Sequence, residues 1–175
     1  MQEVVEKARH ITLAVFDVDG VLTDGGLLLG EDGAEFKIFN VRDGQGLVML
    51  RDSGCRVAVI TARNSKIVAE RMNSLGIEHV YQGQYDKGRT LAELIEKLGL
   101  NARHTAYIGD DLLDLPAMKR AGLAIAVADA HPAVKALAHW VTTARGGCGA
   151  AREVCEFILA AQGKLEPAIQ SFLEA

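Results

Sequence analysis

Two aspartates stand one residue apart in Asp17-Val18-Asp19-Gly20, directly after the apolar run Leu13-Ala14-Val15-Phe16. A buried strand ends there and the chain must turn. Thr61 closes a second apolar run, Val57-Ala58-Val59-Ile60-Thr61. Lys87 lies in Tyr85-Asp86-Lys87-Gly88, and a second acidic pair closes a third run in Gly109-Asp110-Asp111. These residue types suit attack on a phosphate monoester. That group is anionic, so a carboxylate reaches its phosphorus only with a cation between them and fixed donors on the oxygens. Asp17 suits the nucleophile, forming an aspartyl phosphate. Asp19 suits the acid that protonates the leaving alkoxide and the base that then activates water. Asp17 and Asp110 supply the one or two carboxylates that Mg²⁺ takes while keeping several waters. Thr61 offers a hydroxyl and Lys87 a compact positive charge to the transferring group.

Each residue also has a plainer role. Asp before Gly after a strand is a common turn. Asp111 and Asp114 precede a helical pattern over 112–120, where acidic residues favour the positive end of the helix dipole and Pro116 suits the first turn. Lys87, ahead of a helical pattern over 89–98, would by default be solvated. The ordered set, spread over most of the chain, separates the chemical reading from these.

The elements that must position these groups are legible in outline. Short β-branched runs alternate with helical patterns, the signature of βαβ units in a parallel sheet covered on both faces. Strands are expected at 11–16, 56–60, 79–81, 105–108, 124–127 and 140–141. Ile67, Val68, Met72 and Leu75 precede Gly76 at helical spacing, and Leu91, Leu94, Ile95 and Leu98 precede Gly99, each Gly suiting a C-cap. In such sheets the site lies at the carboxyl ends of the strands, where Asp17, Thr61 and Asp110 fall. Between residues 24 and 41 two strand-like runs flank Asp32-Gly33, which signals a hairpin.

The 175 residues, 49% of them hydrophobic, are of single-domain size. No apolar run approaches the ~20 residues of a membrane span, and the charged first residues do not resemble a signal peptide, so a cytoplasmic protein is expected. Cys55, Cys148 and Cys155 show no metal-ligand spacing and are expected as reduced, largely buried thiols. A net charge of −4 argues against a nucleic-acid partner. An anionic substrate must meet a local basic cluster, with Arg42, Arg63, Arg71, Lys87, Arg145 and Arg152 as candidates.

Taken in order, the four motifs resemble those of the haloacid dehalogenase superfamily of phosphohydrolases. The resemblance implies a Rossmann-like α/β sheet, an aspartyl-phosphate mechanism and Mg²⁺ held by Asp17, Asp110 and the backbone carbonyl of Asp19. It also implies support of the metal site by Asp111 and Asp114. Many members carry a cap domain that closes over small substrates, and this chain has room for none. The apolar hairpin therefore suggests a lid borrowed from another subunit.

A narrower resemblance rests on Phe39-Asn40-Val41-Arg42-Asp43-Gly44, Thr61-Ala62-Arg63-Asn64-Ser65, Gln82-Gly83-Gln84-Tyr85-Asp86-Lys87 and Gly146-Gly147-Cys148-Gly149-Ala150-Ala151-Arg152-Glu153. Together these look like the 3-deoxy-D-manno-octulosonate 8-phosphate phosphatases, capless, tetrameric, Mg²⁺-dependent enzymes of lipopolysaccharide sugar synthesis. The resemblance implies that Arg63 and Arg71 face the sugar acid, and that Arg42 and the tail with Arg152 act across a subunit boundary. Ala62 stands where that family usually has Gly. The glycines after Arg145 suggest a mobile lid. Two alternatives remain: a phosphatase of a nine-carbon keto sugar acid, whose relatives tend to carry an acidic residue at Arg63, and a phospho-receiver signalling domain, whose motif order differs.

Overall fold

The computed structural model describes residues 1–174. Its strands are β1 (Leu13–Phe16), β2 (Leu28–Leu29), β3 (Glu35–Phe36), β4 (Arg56–Ile60), β5 (His79–Tyr81), β6 (Thr105–Gly109), β7 (Leu123–Ala126) and β8 (Trp140–Val141). Its helices are α1 (Gln2–Arg9), α2 (Val41–Asp52), α3 (Lys66–Ser74), α4 (Lys87–Lys97), α5 (Leu115–Met118), α6 (Pro132–Leu137), α7 (Ala150–Ala161) and α8 (Leu165–Leu173). Six strands form one sheet in the order β5-β4-β1-β6-β7-β8, and β2 pairs only with β3. Every pairing in the large sheet is parallel.

The order explains where a site can form. The chain moves outward from β1 to β4 and β5, then crosses β1 to lay down β6 on its other side. That reversal opens a crevice at the carboxyl ends of β1 and β6. All four residues of β1 are buried between β4 and β6, so the strand reads as a continuous apolar run. Leu13, Val15 and Phe16 each contribute about 1.5–3 kcal/mol on leaving water.

Helices flank the sheet in two groups. α2 packs on α7, which also meets α1 and α8, while α4 and α6 pack on α5. Gly46 of α2 explains the first contact, since a Cβ there would lie 3.0 Å from Arg152 Cα. α3 and α4 end as their glycines suggest. Gly76 and Gly99 take positive φ, and the next residues bond back, Ile77 N–H to Met72 O at 3.0 Å and Leu100 N–H to Ile95 O at 3.0 Å.

The hairpin is shorter than its apolar runs suggest. Only Leu28–Phe36 and Leu29–Glu35 pair, about a turn in which Asp32 Oδ1 accepts from Ala34 N–H at 3.0 Å. The helix expected over 112–120 is a 3₁₀ turn, Leu112–Asp114, followed by the single-turn α5. Of the three thiols Cys55 and Cys155 are buried, whereas Cys148 is exposed.

The tail differs most from expectation. Its glycines serve close packing. A Cβ at Gly146 would lie 1.8 Å from Gly20 O, and one at Gly147 would lie 2.4 Å from Asp24 N. Asn40 caps α2, accepting from Arg42 N–H at 2.9 Å, and its amide donates to Gly147 O at 3.3 Å. Buried Asp43 accepts from Gly149 N–H at 3.2 Å and Arg152 N–H at 2.7 Å, capping α7 from another helix. A carboxylate capping a helix N-terminus commonly contributes about 0.5–2 kcal/mol. The segment expected as a mobile lid is, in this chain, docked backbone to backbone against the turn after β1.

Candidate active site

The first two motif residues are placed by the central strand. Asp17 N–H donates to Ile108 O at 3.0 Å, so the chain is still held by β6 as it leaves β1. Asp17 Oδ1 then accepts from Val18 N–H at 2.7 Å, and Gly20 turns the chain with φ +93°. Gly20 is also required for space, because a Cβ there would lie 2.1 Å from Asp110 Oδ2. Thr61 follows β4 and Asp110 follows β6, so the three strand ends deliver their side chains to one crevice of about 290 Å³. It is lined by Asp17, Asp19, Thr61, Arg63, Lys87 and Asp110, among others. Larger grooves lie between α2 and α8, about 410 Å³, and beside Arg9 to Thr12, about 570 Å³, but neither contains any of these residues.

Asp114 organises the floor. Its side chain is fully buried. Oδ1 accepts from Lys87 Nζ at 2.7 Å and Tyr107 Oη at 2.9 Å, and Oδ2 from the N–H groups of Asp110 at 3.0 Å and Asp111 at 3.2 Å. Four donors saturate a carboxylate. Lys87, itself buried, reaches from the start of α4 because Gly88 lets that helix approach Pro116; a Cβ would lie 2.8 Å from the proline's Cβ. Its ammonium also lies 2.8 Å from Asp17 Oδ2.

The charges do not balance. Asp17, Asp110 and Asp114 offer oxygens within 4.8 Å of one another, against the single ammonium of Lys87. Burial, then the charge of Asp114, pushes the Asp17 carboxyl up to about 7 despite Lys87. Burial, then the charges of Asp17 and Asp114, pushes Asp110 up to about 8. Burial alone would lower Lys87, but the Asp17 and Asp114 charges outweigh it and raise it. Burial, then the Asp114 charge, holds the Tyr107 phenol protonated. Asp110 Oδ1 is buried without a hydrogen-bond partner.

A divalent cation fits this set. It would neutralise the surplus of two negative charges and occupy the orphaned oxygen of Asp110. Asp114 has no lone pair left for it, so Asp17 and Asp110 are the carboxylates free to bind, within the one or two that Mg²⁺ usually takes. Asp111 is exposed, and its backbone N–H donates to Asp114 Oδ2 at 3.2 Å.

The arginines divide. Arg63 lines the crevice, with its side chain 43% exposed. Arg71, expected to face the sugar acid, does not line that crevice. It lies against α2, where a Cβ at Gly44 would lie 2.3 Å from its Nη2, and it borders a separate small cleft with Phe39 and Asp43. Arg42 is exposed on α2, and Arg152 is engaged with Glu156 at 2.6 Å on α7. Neither lines the crevice of its own chain. Tyr107 and the hairpin residues Glu35 and Lys37 join the site unannounced by any motif. Lys37 Nζ contacts Asp19 Oδ1 and lies 3.1 Å from Glu35 Oε1. The signal was the two-residue spacing of Glu35 and Lys37, which puts both on one face of a strand.

Known proteins resemble this chain in sequence and in fold. A model of the haloacid dehalogenase-like hydrolases matches residues 60–152. The 3-deoxy-D-manno-octulosonate 8-phosphate phosphatase KdsC of Escherichia coli K12 is 49% identical over 95% of this chain and 88% of its own length. Among solved structures, a probable YrbI family phosphatase from Pseudomonas syringae is 52% identical with a TM-score of 0.97, covering 100% of this chain and 99% of its own. A 3-deoxy-D-manno-octulosonate 8-phosphate phosphatase from Moraxella catarrhalis, solved with magnesium, phosphate and KDO, is 46% identical with a TM-score of 0.97, covering 98% and 99%. The sheet order, the four motif positions converging on one crevice and these likenesses lead to one conclusion: the chain belongs to the haloacid dehalogenase-like hydrolases, among the 3-deoxy-D-manno-octulosonate 8-phosphate phosphatases.

Proposed function

We propose that this protein hydrolyses 3-deoxy-D-manno-octulosonate 8-phosphate to the free sugar acid and phosphate, a phosphomonoesterase step in lipopolysaccharide sugar synthesis, with Mg²⁺ as cofactor. The observation that carries the reading is that one crevice holds buried Asp17, Thr61 and Lys87 at its floor and half-exposed Arg63 at its mouth. A substrate with phosphate at one end and carboxylate at the other matches that polarity.

In this reading the Thr61 hydroxyl and the Lys87 ammonium hold the phosphoryl oxygens. Asp17 attacks phosphorus, the bond to the sugar oxygen breaks, and Asp19 gives that oxygen a proton. Water then attacks the aspartyl phosphate, Asp19 takes the proton, and phosphate leaves with Asp17 restored. Mg²⁺, held by Asp17, Asp110 and the Asp19 backbone carbonyl, would supply the positive charge between carboxylate and phosphoryl group that lets the two anions meet. Asp114 and Tyr107 keep Lys87 and the Asp110 backbone in place.

The same proposal includes a cytoplasmic homotetramer with sites completed between subunits. Among the described residues no helix is long and apolar enough to cross a membrane. Leu28 and Ile38 of the hairpin are 63% and 76% exposed, an apolar face that a neighbouring chain would cover. Arg42, Arg71 and Arg152 then act on substrate from the assembled form. Light scattering should return four times the mass of one chain, and a monomer would remove the shared site.

The substrate is tested by comparing kcat/KM for 3-deoxy-D-manno-octulosonate 8-phosphate with that for glucose 6-phosphate. A charge-assisted contact from Arg63 to the carboxylate gives about 1.5–3 kcal/mol, roughly ten- to hundredfold in favour of the sugar acid. Arg63→Ala should erase most of that preference, and equal efficiencies in the wild type would contradict the reading. Asp17→Asn should abolish turnover of both substrates with the far-UV spectrum unchanged, because the amide cannot form the acyl phosphate; residual activity near the wild type would rule out Asp17 as nucleophile.

The raised carboxyls also set a pH dependence. Asp17 at about 7 and Asp110 at about 8 in the folded chain lie above the ordinary 3.8, so the native state binds more protons than the unfolded one. Stability from this source is complete below about pH 4 and is lost as pH rises through 7 and 8. The metal-free protein should therefore lose thermal stability between about pH 4 and 8. Mg²⁺ at about a hundredfold over its Kd should restore about 2.7 kcal/mol, roughly 5 to 10 °C for a chain of this size. That gain should be larger at the alkaline end, where the ligands are already ionised. Scanning calorimetry with and without EDTA reads both effects; a metal-free stability that rises with pH would contradict the charge surplus.

A further inference from the structure

Two hairpin side chains, Glu35 and Lys37, enter the active site without a part in the chemistry above. The Lys37 side chain is 0% exposed. Its ammonium donates to Asp19 Oδ1 and lies 3.1 Å from Glu35 Oε1. Arg63 completes the group, with Nη2 3.4 Å from Glu35 Oε1 and Nε 3.7 Å from Asp19 Oδ2. Two carboxylates and two cations thus form a neutral cluster. Asp19 and Arg63 come from the ends of sheet strands, and Glu35 and Lys37 from the hairpin. A buried ammonium is tolerated only where such partners compensate it, so the cluster also ties the hairpin to the turn after β1.

We propose that Lys37 is a positioning residue for Asp19, holding Oδ1 toward the hairpin and leaving Oδ2 as the oxygen that hands a proton to the leaving alkoxide. The proposal rests on the reading of Asp19 as acid and base. The two oxygens of Asp19 are unequal in this respect. Oδ1 is bound by Lys37, while the Arg63 Nε near Oδ2, at 3.7 Å, is beyond hydrogen-bond length. Without Lys37 the remaining cation beside Asp19 is Arg63, half exposed at the crevice mouth, and the carboxylate turns outward toward it. Lys37 itself, covered on all sides, acts only through Asp19.

A leaving-group comparison isolates this role. When the Asp17–phosphorus bond forms, the electron pair of the breaking bond passes to the leaving oxygen. A sugar alkoxide needs a proton there, whereas p-nitrophenolate departs without one. The ratio kcat/KM reports only steps through that departure. For Lys37→Met and for the charge-balanced pair Lys37→Met/Glu35→Gln, kcat/KM on 3-deoxy-D-manno-octulosonate 8-phosphate should fall about 10²-fold, while that on p-nitrophenyl phosphate stays within about threefold. Lys37→Arg should recover part of the loss. The p-nitrophenyl phosphate rate and the far-UV spectrum report the fold and the phosphate site directly. Equal losses on both substrates, in the single and the paired variant, would assign Lys37 a merely structural role and overturn the proposal, as would an unchanged rate on the sugar phosphate. A wild type inactive on 3-deoxy-D-manno-octulosonate 8-phosphate would sink the substrate reading alone, since the comparison then runs on any alkyl phosphate that the enzyme does hydrolyse.

Discussion

Asp17, Asp110 and Asp114 are packed where β1 and β6 end, with Lys87 as the one ammonium among them, and the uncompensated negative charge constrains everything around it. Asp114 is stable in a fully buried position because four donors satisfy it, two of them backbone N–H groups at the end of β6. The pair with Lys87 belongs to the kind whose disruption costs about 3 to 5 kcal/mol, since removing one partner strands the other's charge. Asp17 and Asp110 have no comparable support. Their carboxyls are pushed up to about 7 and 8, and they are the two free to take a cation. The division between a supporting acid and binding acids therefore follows from hydrogen-bond accounting alone.

The glycines of the motifs answer to the same constraint. Side chains as crowded as these leave no room for a Cβ on the backbone that passes them. At Gly20 it would strike Asp110, at Gly109 it would lie 2.5 Å from Asp114 Cβ, and at Gly88 it would hold α4 off Pro116 and withdraw Lys87 from its partners. The requirement is space as much as torsional freedom. Gly109 and Gly88 keep ordinary φ, and Gly20 alone of the three is at positive φ.

That double use of glycine explains where sequence reasoning reached and where it stopped. β4, β5 and β8 lie where the apolar runs put them, and β1, β6 and β7 within a residue or two, because parallel strands buried on both faces leave continuous hydrophobic runs with polar residues at their ends. Asp17, Thr61 and Asp110 were legible for that reason. The run Gly146, Gly147 and Gly149 was open to two meanings, freedom and close approach. Only the docking of Gly146 on Gly20 O separates them. Helical spacing fixes which residues share a face but not what the face meets, and the Arg71 side chain meets α2 rather than the crevice of its own chain. Tyr107 sits inside a strand and reads as core, and its hydroxyl contact to Asp114 depends on where the chain returns after β6. Asp43 stands in a motif without a legible role of its own, because the helix it caps lies more than a hundred residues away.

The hairpin shows how one short strand can serve two masters. Side chains alternate along an extended chain, so Glu35 and Lys37 turn toward Asp19 and Arg63 while Phe36 and Ile38 stay exposed at 54% and 76%. A slip of one residue in the pairing of Leu28 with Phe36 would exchange the two faces, presenting the ammonium to solvent and an apolar side chain to a carboxylate. With only two residue pairs in its ladder, the hairpin is too short to hold its register unaided, since even a complete two-stranded hairpin is marginal in water. The ion cluster at its inner face opposes that slip, because a buried ammonium has no comparable partner in the other register. The same four charges that meet at Asp19 therefore decide which side of the hairpin faces outward, so the geometry of the acid and base and the apolar surface available to a neighbouring chain are set by one interaction.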